Sequence, residues 1–392
     1  MKKGYYIVSL ILFLYFPVKA QDSTTVVKPQ LSGYVSNLQT VMFSDISGDW
    51  MNDNTVHNRL NFSYEPGTFS FNLQLRNRFI YGDQVRLDST YARSLGRDKG
   101  IMDLSANLVS KKSFVLNSQI DRAYVTFKKQ KFEATIGRQR INWGQTFVWN
   151  PNDLFNTYSF FDFDYPERPG SDAIRLQYFT GFASQAEFAV KSDSSGKVTL
   201  AGFYKFNKWN YDIQFLGGIY EDNDFVIGAG WSGGIAGMGF YGEISYFKPL
   251  DKQNDGGSTF YSSMALNYAF PNSLNLQGEV LFAKIPGGFS YNSILEVLNR
   301  PLNVKNLAFS EYSIFTQASY PITPLLNATL SAMYMPSIKA WFLGPNLDYS
   351  LGDNISASLL VQSFRARFPQ GSSVSLFSGN FTIGFLRVKV NF

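Results

Sequence analysis

The sequence contains no cysteine and only one histidine. Without cysteine there can be no disulfide framework, no metal site built on thiolates and no lipid anchor on a cysteine. The one histidine, His57, lies beside a polar segment and is not accompanied by a Gly-x-Ser-x-Gly element, so a serine hydrolase is not indicated. We interpret it as a solvated histidine at the rim of the fold. The sequence predicts no enzyme, no cofactor and no metal site.

Long apolar runs are also missing beyond residue 20. No later run approaches the ~20 residues that a membrane-spanning helix requires. At the start, the basic residues Lys2 and Lys3 precede a shorter apolar run that ends near the small residue Ala20. This order is typical of a secretory signal peptide. We therefore predict a signal peptide over residues 1–20 and a single domain over residues 21–392.

An excess of one charge is absent as well. The chain has 35 basic and 30 acidic residues, and the predicted signal peptide holds three of the basic ones, which leaves 32 against 30. This balance does not indicate a nucleic-acid-binding protein. Aromatic residues make up 17% of the chain, but a mean hydropathy of -0.13 is too low for a bundle of membrane helices. An exported, aromatic-rich chain of this kind is typical of an outer-membrane β-barrel.

The residues alternate between apolar and polar along most of the chain. Between Phe69 and Tyr81, large apolar side chains share one face of a strand, and Ser, Asn, Gln and Arg share the other. Similar segments predict an all-β fold, a transmembrane antiparallel up-and-down barrel of about 18 strands, with 16 as the alternative. The predicted short periplasmic turns all fall on one side: Glu65–Thr68, Lys128–Lys131, Thr180–Phe182, Phe206–Lys208, Ser232–Ile235, Phe270–Asn272, Pro321–Thr323 and Leu351–Asp353. The long segments 44–56, 82–117, 142–171, 248–257, 285–308 and 366–376 fall on the other, extracellular side.

The last strand alternates and ends in Phe392, with Leu386, Val388 and Val390 on the same face. This ending resembles the C-terminal signal that the barrel-assembly machinery of the outer membrane reads. Expected partners are therefore that machinery, outer-membrane lipid, lipopolysaccharide and small polar solutes. Both a monomer and a homotrimer are compatible with the sequence, and the expected location is the bacterial outer membrane.

The polar faces of the strands predict a charged lumen, because a barrel of this size encloses water. By alternation, the basic residues predicted to line the pore are Arg59, Arg76, Arg78, Arg122, Arg175, Arg387 and Lys389. The acidic residues predicted to line it are Glu187, Asp212, Glu243 and Glu279. Opposed walls of this kind would create a transverse field that selects polar solutes. The alternative is that these charges only hydrate the lumen and pair with loop groups.

The long segment 142–171 interrupts a hairpin and is rich in aromatic residues. We predict that it folds into the lumen as a constriction, although a lid on the outer rim is the alternative. Arg138 and Arg140 would face lipid by strict alternation, so we expect a bulge at Gly137 to turn them inward, the alternative being a position at the outer rim. The residues assigned to the constriction loop are Arg138, Arg140, Trp143, Trp149, Asp153, Phe155, Asp162, Asp164 and Glu167.

The same region resembles a group of porin-like outer-membrane barrels that are distantly similar to alginate-export and phosphate-selective porins. The resemblance is carried by five short stretches: Ala123-Tyr124-Val125, Ile136-Gly137-Arg138-Gln139, Ile141-Asn142-Trp143-Gly144, the run from Trp149 to Asn156, and Pro169-Gly170-Ser171-Asp172-Ala173. It covers about fifty residues and implies a single barrel with passage of solutes. Together these features predict a channel for passive diffusion of small polar or anionic solutes. The alternative is a non-conducting barrel that anchors a secretion, surface-assembly or adhesion complex.

Overall fold

The computed structural model describes residues 28–158, 160–163, 167–251, 257–289, 291, 303–366 and 379–392. The predicted signal peptide, residues 1–20, lies outside the described residues, and so does Asp164 of the predicted constriction loop. None of the helices in the described ranges is both long and apolar enough to cross a membrane.

Strands dominate the described chain. They are β1 Gln30–Phe43, β2 Met51–Tyr64, β3 Phe69–Gly82, β4 Ser105–Ser110, β5 Phe114–Lys129, β6 Phe132–Gln139, β7 Ser171–Gly181, β8 Ser184–Ser192, β9 Val198–Lys208, β10 Tyr211–Tyr220, β11 Asp224–Ile235, β12 Met238–Pro249, β13 Thr259–Ala269, β14 Asn275–Lys284, β15 Tyr312–Thr323, β16 Leu326–Met335, β17 Ala340–Gly352, β18 Ile355–Arg365 and β19 Asn380–Asn391. Two short helices, α1 Asp83–Leu87 and α2 Tyr91–Leu95, and two 3₁₀ turns, Val304–Asn306 and Pro336–Ile338, complete the regular structure.

Each strand pairs antiparallel with its neighbours, and the first strand meets the last. Tyr34 of β1 lies opposite Arg59 of β2 on one side and Asn391 of β19 on the other. This pairing closes the sheet, so the barrel has no free edge. Eighteen of the described strands form the closed wall, and β4 pairs only with the outer end of β5. The prediction of an 18-stranded antiparallel barrel is confirmed.

Short and long connections sort to opposite ends of the barrel, as expected. Two of the short turns begin where the alternation indicates, at residues 65 and 270, and the other six begin two to four residues later. The turn between β9 and β10, for example, is Trp209-Asn210, with φ of 56° and 63° at the two residues, where the sequence points to Phe206–Lys208. Two central residues with positive φ form the tight turn that matches the twist of a hairpin. The strands therefore continue past the last clear alternation until such a turn is reached.

Two long connections contain more regular structure than the sequence indicates. A loop is expected over 44–56, but β2 already begins at Met51. The polar segment 82–117 contains α1, α2 and β4. Apolar contacts explain the folding of this segment, because Val85 of α1 packs with Ile80 and Val115 of the wall, and Tyr91 of α2 lies against the same cluster.

The two faces of the wall have opposite character. Phe69 and Phe71 of β3 are 46% and 39% exposed on the outside of the barrel, whereas Ser70 and Arg76 on the other face are buried. Apolar side chains therefore face the membrane, and polar side chains face the interior. The hydrophobic core sits inside the barrel, where the segment between β6 and β7 packs against wall residues such as Phe203 and Phe342.

Candidate functional site

The chain between β6 and β7 is described over residues 140–158, 160–163 and 167–170, and this described part enters the barrel interior; we name it the central loop. Trp143 is 2% exposed, and its ring lies 4.9 Å from that of Phe155 in the same loop and 5.0 Å from that of Phe203 in β9. Its Nε1 donates a 2.7 Å hydrogen bond to Oε1 of Glu187 in β8. These contacts place the loop within the lumen, where the sequence predicts a constriction.

Two glutamates of the wall hold the loop through its backbone. The carboxylate of Glu279 in β14 accepts hydrogen bonds from the backbone N–H groups of Phe147, Val148 and Trp149, at 2.8 to 2.9 Å, and from the hydroxyl of Ser263 at 2.8 Å. An ionised carboxylate has about four acceptor positions, so the side chain of Glu279 is fully used by these four donors. Such charge-assisted bonds are stronger than bonds between neutral groups.

Glu243 in β12 binds the adjacent turns of the loop in the same way. Its Oε1 accepts from the backbone N–H of Gln145 and from both the N–H and the hydroxyl of Thr146. Its Oε2 accepts from the backbone N–H of Asn152 at 2.8 Å. Glu243 is 0% exposed and Glu279 is 1% exposed. Both carboxylates are therefore engaged by the loop and are not presented to solvent.

The tail of the loop continues this packing towards the last strands. The ring of Phe160 lies 4.9 Å from that of Phe315, and the ring of Phe161 lies 5.1 Å from those of Phe342 and Phe364. Because these partners lie on β15, β17 and β18, the loop covers the inner face of a large portion of the wall. The opposite portion of the wall is formed by β19, β1, β2, β3 and β5.

That opposite wall, which we name the basic wall, holds six of the seven predicted basic residues: Arg59, Arg76, Arg78, Arg122, Arg387 and Lys389. On β19, Lys389 Nζ lies 4.1 Å above the ring of Tyr34, and the Arg387 guanidinium lies 4.3 Å above the ring of Phe163. Such placements combine a cation with the negative face of an aromatic ring. The structure thus brings these six residues together on neighbouring strands.

Arg175 lies apart from the basic wall, on β7. Its Nε and Nη2 each donate a 2.7 Å hydrogen bond to the carboxylate of Glu187, which also accepts from Trp143. Of the predicted acidic residues, Glu187, Glu243 and Glu279 point inwards but are buried, Glu187 in this ion pair and the other two beneath the central loop. Asp212 lies near a short turn, where Asn207 donates to it at 2.8 Å.

Two cavities lie along the basic wall. The outer cavity has a volume of about 720 Å³ and is lined by Arg76, Arg78 and Asp121 of the wall, by Arg168 of the central loop, by Lys191 of β8 and by residues of the segment 94–100. The inner cavity, of about 630 Å³, lies at the end of the barrel with the short turns and is lined by Asn61 and Gln74, among other residues.

Arg59 stands between the two cavities. Its Nη1 lies 2.7 Å from Oδ2 of Asp121, which lines the outer cavity. Its Nη2 and Nε donate to Gln74 and Asn61, at 2.5 and 3.1 Å, and these residues line the inner cavity. On the far side, Glu167 of the central loop lies 4.0 Å from Arg59 and accepts a 2.8 Å hydrogen bond from Tyr34. These side chains form a charged cluster between the two linings, which we name the Arg59 neck.

Asp121 is a functional candidate that alternation could not identify. The register of β5 against β3 shifts between Gln74 and Leu75, so that Gln74 pairs with Arg122 but Leu75 pairs with Ile120. Asp121 is therefore the inserted residue of a β-bulge in β5, and a bulge changes the direction in which a side chain points. It points into the barrel together with Arg122, which donates to the backbone oxygen of Glu167 at 2.6 Å.

The expectation of a bulge at Gly137 is wrong. The pairing of β6 with both β5 and β7 runs without a register shift. Gly137 instead adopts a φ of 117°, and a Cβ there would overlap the backbone oxygen of Ala123, so that only glycine fits. The next residue, Arg138, is buried and forms 2.6 Å ion pairs with Asp98 and Asp172. It ties the segment after α2 to the outer ends of β6 and β7.

Of the remaining loop residues, some line the outer cavity and others are buried within the loop. Asp162 lines it, and the Arg168 guanidinium lies 3.1 Å above the ring of Tyr158. Asp153 is 1% exposed, and its burial raises the pKa of its carboxyl to about 6. Burial and the neighbouring charge of Arg168 lower the pKa of Arg140. Trp149 is buried within the core of the loop.

His57 differs from the expectation of a solvated rim residue. It lies in β2, is 2% exposed and contacts the ring of Tyr34 edge to face at a centroid distance of 5.2 Å. The early start of β2 explains this position, because the strand carries His57 well inside the barrel.

No protein-family model matches the sequence, and a search of curated proteins found no relative. Solved structures do match. OccAB1 of Acinetobacter baumannii has a TM-score of 0.58 at 11% identity and covers 93% of this chain and 97% of its own. OprD of Pseudomonas aeruginosa has a TM-score of 0.57 at 13% identity, with 94% and 97% covered. The outer membrane protein OpdK of the same organism has a TM-score of 0.55 at 12% identity, with 93% and 98% covered. The chain therefore has the fold of the OprD and Occ outer-membrane barrels.

Proposed function

We propose that this protein is an outer-membrane channel through which small polar solutes, anions in particular, diffuse passively. The observation that carries this proposal is the pair of cavities along the basic wall, with the Arg59 neck between their linings. A solute would enter the outer cavity, pass the neck and leave through the inner cavity. The matching folds support the outer membrane as the location, with membrane lipid around the apolar outer face.

Anion preference follows from the distribution of charge along this path. Arg76 and Arg78 line the outer cavity and lie two residues apart on one strand face, so both project towards a passing solute. The carboxylates of Glu243 and Glu279 are buried beneath the central loop, and the N–H groups that donate to them partly offset their negative charge. The electrostatic potential that a solute meets along the path is therefore more positive than a count of all inward-facing acidic and basic residues would indicate.

The neck supplies the selective step. Arg59 there is held by a carboxylate and two amides, so its guanidinium is fixed in position rather than mobile. A fixed cation beside a carboxylate favours solutes that can bind to both, and it discriminates by shape as well as by charge. The central loop contributes Glu167 to the other side of this neck.

The test is the current of the purified barrel in planar lipid bilayers. We expect discrete single-channel steps, and in a KCl gradient a reversal potential on the anion side. The control is the same preparation after heat denaturation, which removes the barrel and should remove the steps. A correctly folded barrel that gives no steps would contradict passive diffusion, and would favour the alternative of a non-conducting barrel that anchors a surface complex.

A further inference from the structure

A row of three side chains crosses the outer face of the barrel at its long-loop end. Tyr334 of β16 pairs with Trp341 of β17, and Trp341 pairs with Arg365 of β18. The neighbours Met333, Phe342 and Phe364 are buried in the interior, which places the row on the membrane-facing side. The rings of Tyr334 and Trp341 stack with centroids 4.1 Å apart.

A second cation joins this row. Lys339 follows the 3₁₀ turn Pro336–Ile338 and adopts the left-handed conformation, with φ of 47°. The turn is fixed to the barrel, since Ile338 and Ala340 are buried and the N–H of Ser337 donates to Ser310 at 3.0 Å. Lys339 is therefore held at the edge of the row. Together Tyr334, Pro336, Lys339, Trp341 and Arg365 line a groove of about 400 Å³, which we name the rim groove.

Neither cation of the rim groove takes part in an ion pair among the residues that the structure describes. Three other basic side chains at the same end of the barrel have acidic partners, with Arg86 2.6 Å from Asp83, Lys197 3.6 Å from Glu221 and Lys305 2.8 Å from Asp224. In the described chain, no ion pair neutralises Lys339 or Arg365 in this way. The groove thus combines two cations with an aromatic platform.

The position of the groove identifies the chemistry of its ligand. Below the row the outer face is apolar, with Leu343 48% and Leu330 49% exposed, as expected for contact with hydrocarbon. Stacked aromatic residues at such a boundary mark the level of lipid head groups. Cations at that level meet phosphate, and a basic pocket with an aromatic wall suits a phosphorylated head group whose sugar can lie on the rings.

We propose that the rim groove is a binding site for the phosphorylated head group of an outer-leaflet glycolipid. Lys339 and Arg365 would bind the phosphate, and Trp341 with Tyr334 would support the sugar ring while the acyl chains follow the apolar face below. This inference depends on the barrel lying in the outer membrane, but not on solute passage, so the two proposals can fail separately.

The test is native mass spectrometry of the folded barrel in detergent, titrated with lipid A that carries two phosphates. The Lys339→Gln, Arg365→Gln double variant should bind about thirtyfold more weakly than the parent, because two phosphate contacts are removed. The matched control is Lys284→Gln. This substitution removes a single exposed cation at the end of β14, opposite Phe260 in the register of β13 and β14, on the same outer rim. Heat-modifiable migration on gels verifies that each variant is folded.

A second arm separates phosphate recognition from simple apolar contact. Lipid A without phosphate should bind the parent as weakly as the intact lipid binds the double variant. Equal binding of both lipids by the parent would overturn the proposal, and so would an unchanged affinity of the folded double variant. Bilayer conductance of the double variant should equal that of the parent, since no residue of the groove faces the lumen.

Discussion

Arg59 and Asp121 form a 2.7 Å ion pair in the interior of the barrel, and each residue is only 2% exposed. Because Asp121 borders the outer cavity and Arg59 contacts the lining of the inner cavity, this pair sets the charge between the two cavities of the proposed path. A buried pair is sensitive to loss of one partner, since the remaining charge then lacks compensation.

Asp121→Asn should make the channel more selective for anions, because the neck keeps Arg59 and loses its carboxylate. The barrel should also lose about 3–5 kcal/mol of stability, because the buried guanidinium is left without the carboxylate that compensates its charge. Reversal potential in a KCl gradient and urea unfolding measure the two effects. Asp353→Asn, in an exposed short turn, is the control and should change neither. A neck variant with the selectivity of the parent would show that solutes do not pass Arg59.

Replacing Arg76 and Arg78 together with Gln should shift the channel towards cations, reducing the preference for anions at least about twofold at low salt. The shift should nearly vanish at high salt, because the Debye length falls from ~30 Å at 0.01 M to ~3 Å at 1 M. Lys112→Gln, on an exposed connection, is the matched control. A reversal potential that stays at the value of the parent in low salt would mean that the outer cavity is not on the solute path.

Alternation assigns Arg76 and Arg78 to the face opposite Phe69 and Phe71, since successive side chains of a strand point to opposite faces of a sheet. Both arginines are buried, whereas the two phenylalanines are exposed. The same rule misses Asp121, because an inserted residue in β5 changes the parity locally. No local signal marks such an insertion, and its position depends on the register of the neighbouring strand.

The roles of Glu243 and Glu279 illustrate a second limit. Their inward direction follows from alternation, but their partners are backbone N–H groups about a hundred residues earlier in the chain. Backbone donors carry no sequence signature, so a sequence cannot tell an acid that faces solutes from an acid that holds a loop. The aromatic content of the segment does indicate packing, and Trp143 and Phe155 pack together in the lumen.

The topology can be tested because the chain has no cysteine, so each introduced thiol is the only one. Asp49→Cys, in the connection between β1 and β2, should react with a membrane-impermeant maleimide on intact cells. Asp353→Cys, in the short turn between β17 and β18, should react only after the outer membrane is opened. The reverse labelling pattern would show that the barrel has the opposite orientation in the membrane, with the outer cavity at the periplasmic end.

Asp153 should make stability depend on pH. Its folded pKa of about 6 lies above the ordinary value, so the folded state favours the neutral acid. The carboxyl therefore has no cost when it is protonated in both states, below about pH 3, and destabilises the fold as pH rises from about 4 through 6, by up to about 3 kcal/mol. Asp153→Asn should unfold at higher urea than the parent at pH 8 and come close to it at pH 4. A constant difference at both pH values would exclude titration of Asp153 as the cause.

Glu279→Gln should loosen the central loop. The substitution keeps the shape of the side chain but removes the charge that binds the N–H groups of Phe147, Val148 and Trp149. Hydrogen bonds to charged groups contribute about 1.5–3 kcal/mol each, so amide exchange at these three positions should be at least about tenfold faster. Single-channel records should show larger current fluctuations, because a mobile loop changes the width of the path. Glu65→Gln, in an exposed short turn, should alter neither measurement. Exchange rates and current noise of Glu279→Gln that equal those of the parent would show that the carboxylate does not hold the loop in the lumen. In that case the contacts of Trp143 and Phe161 must be sufficient to hold it.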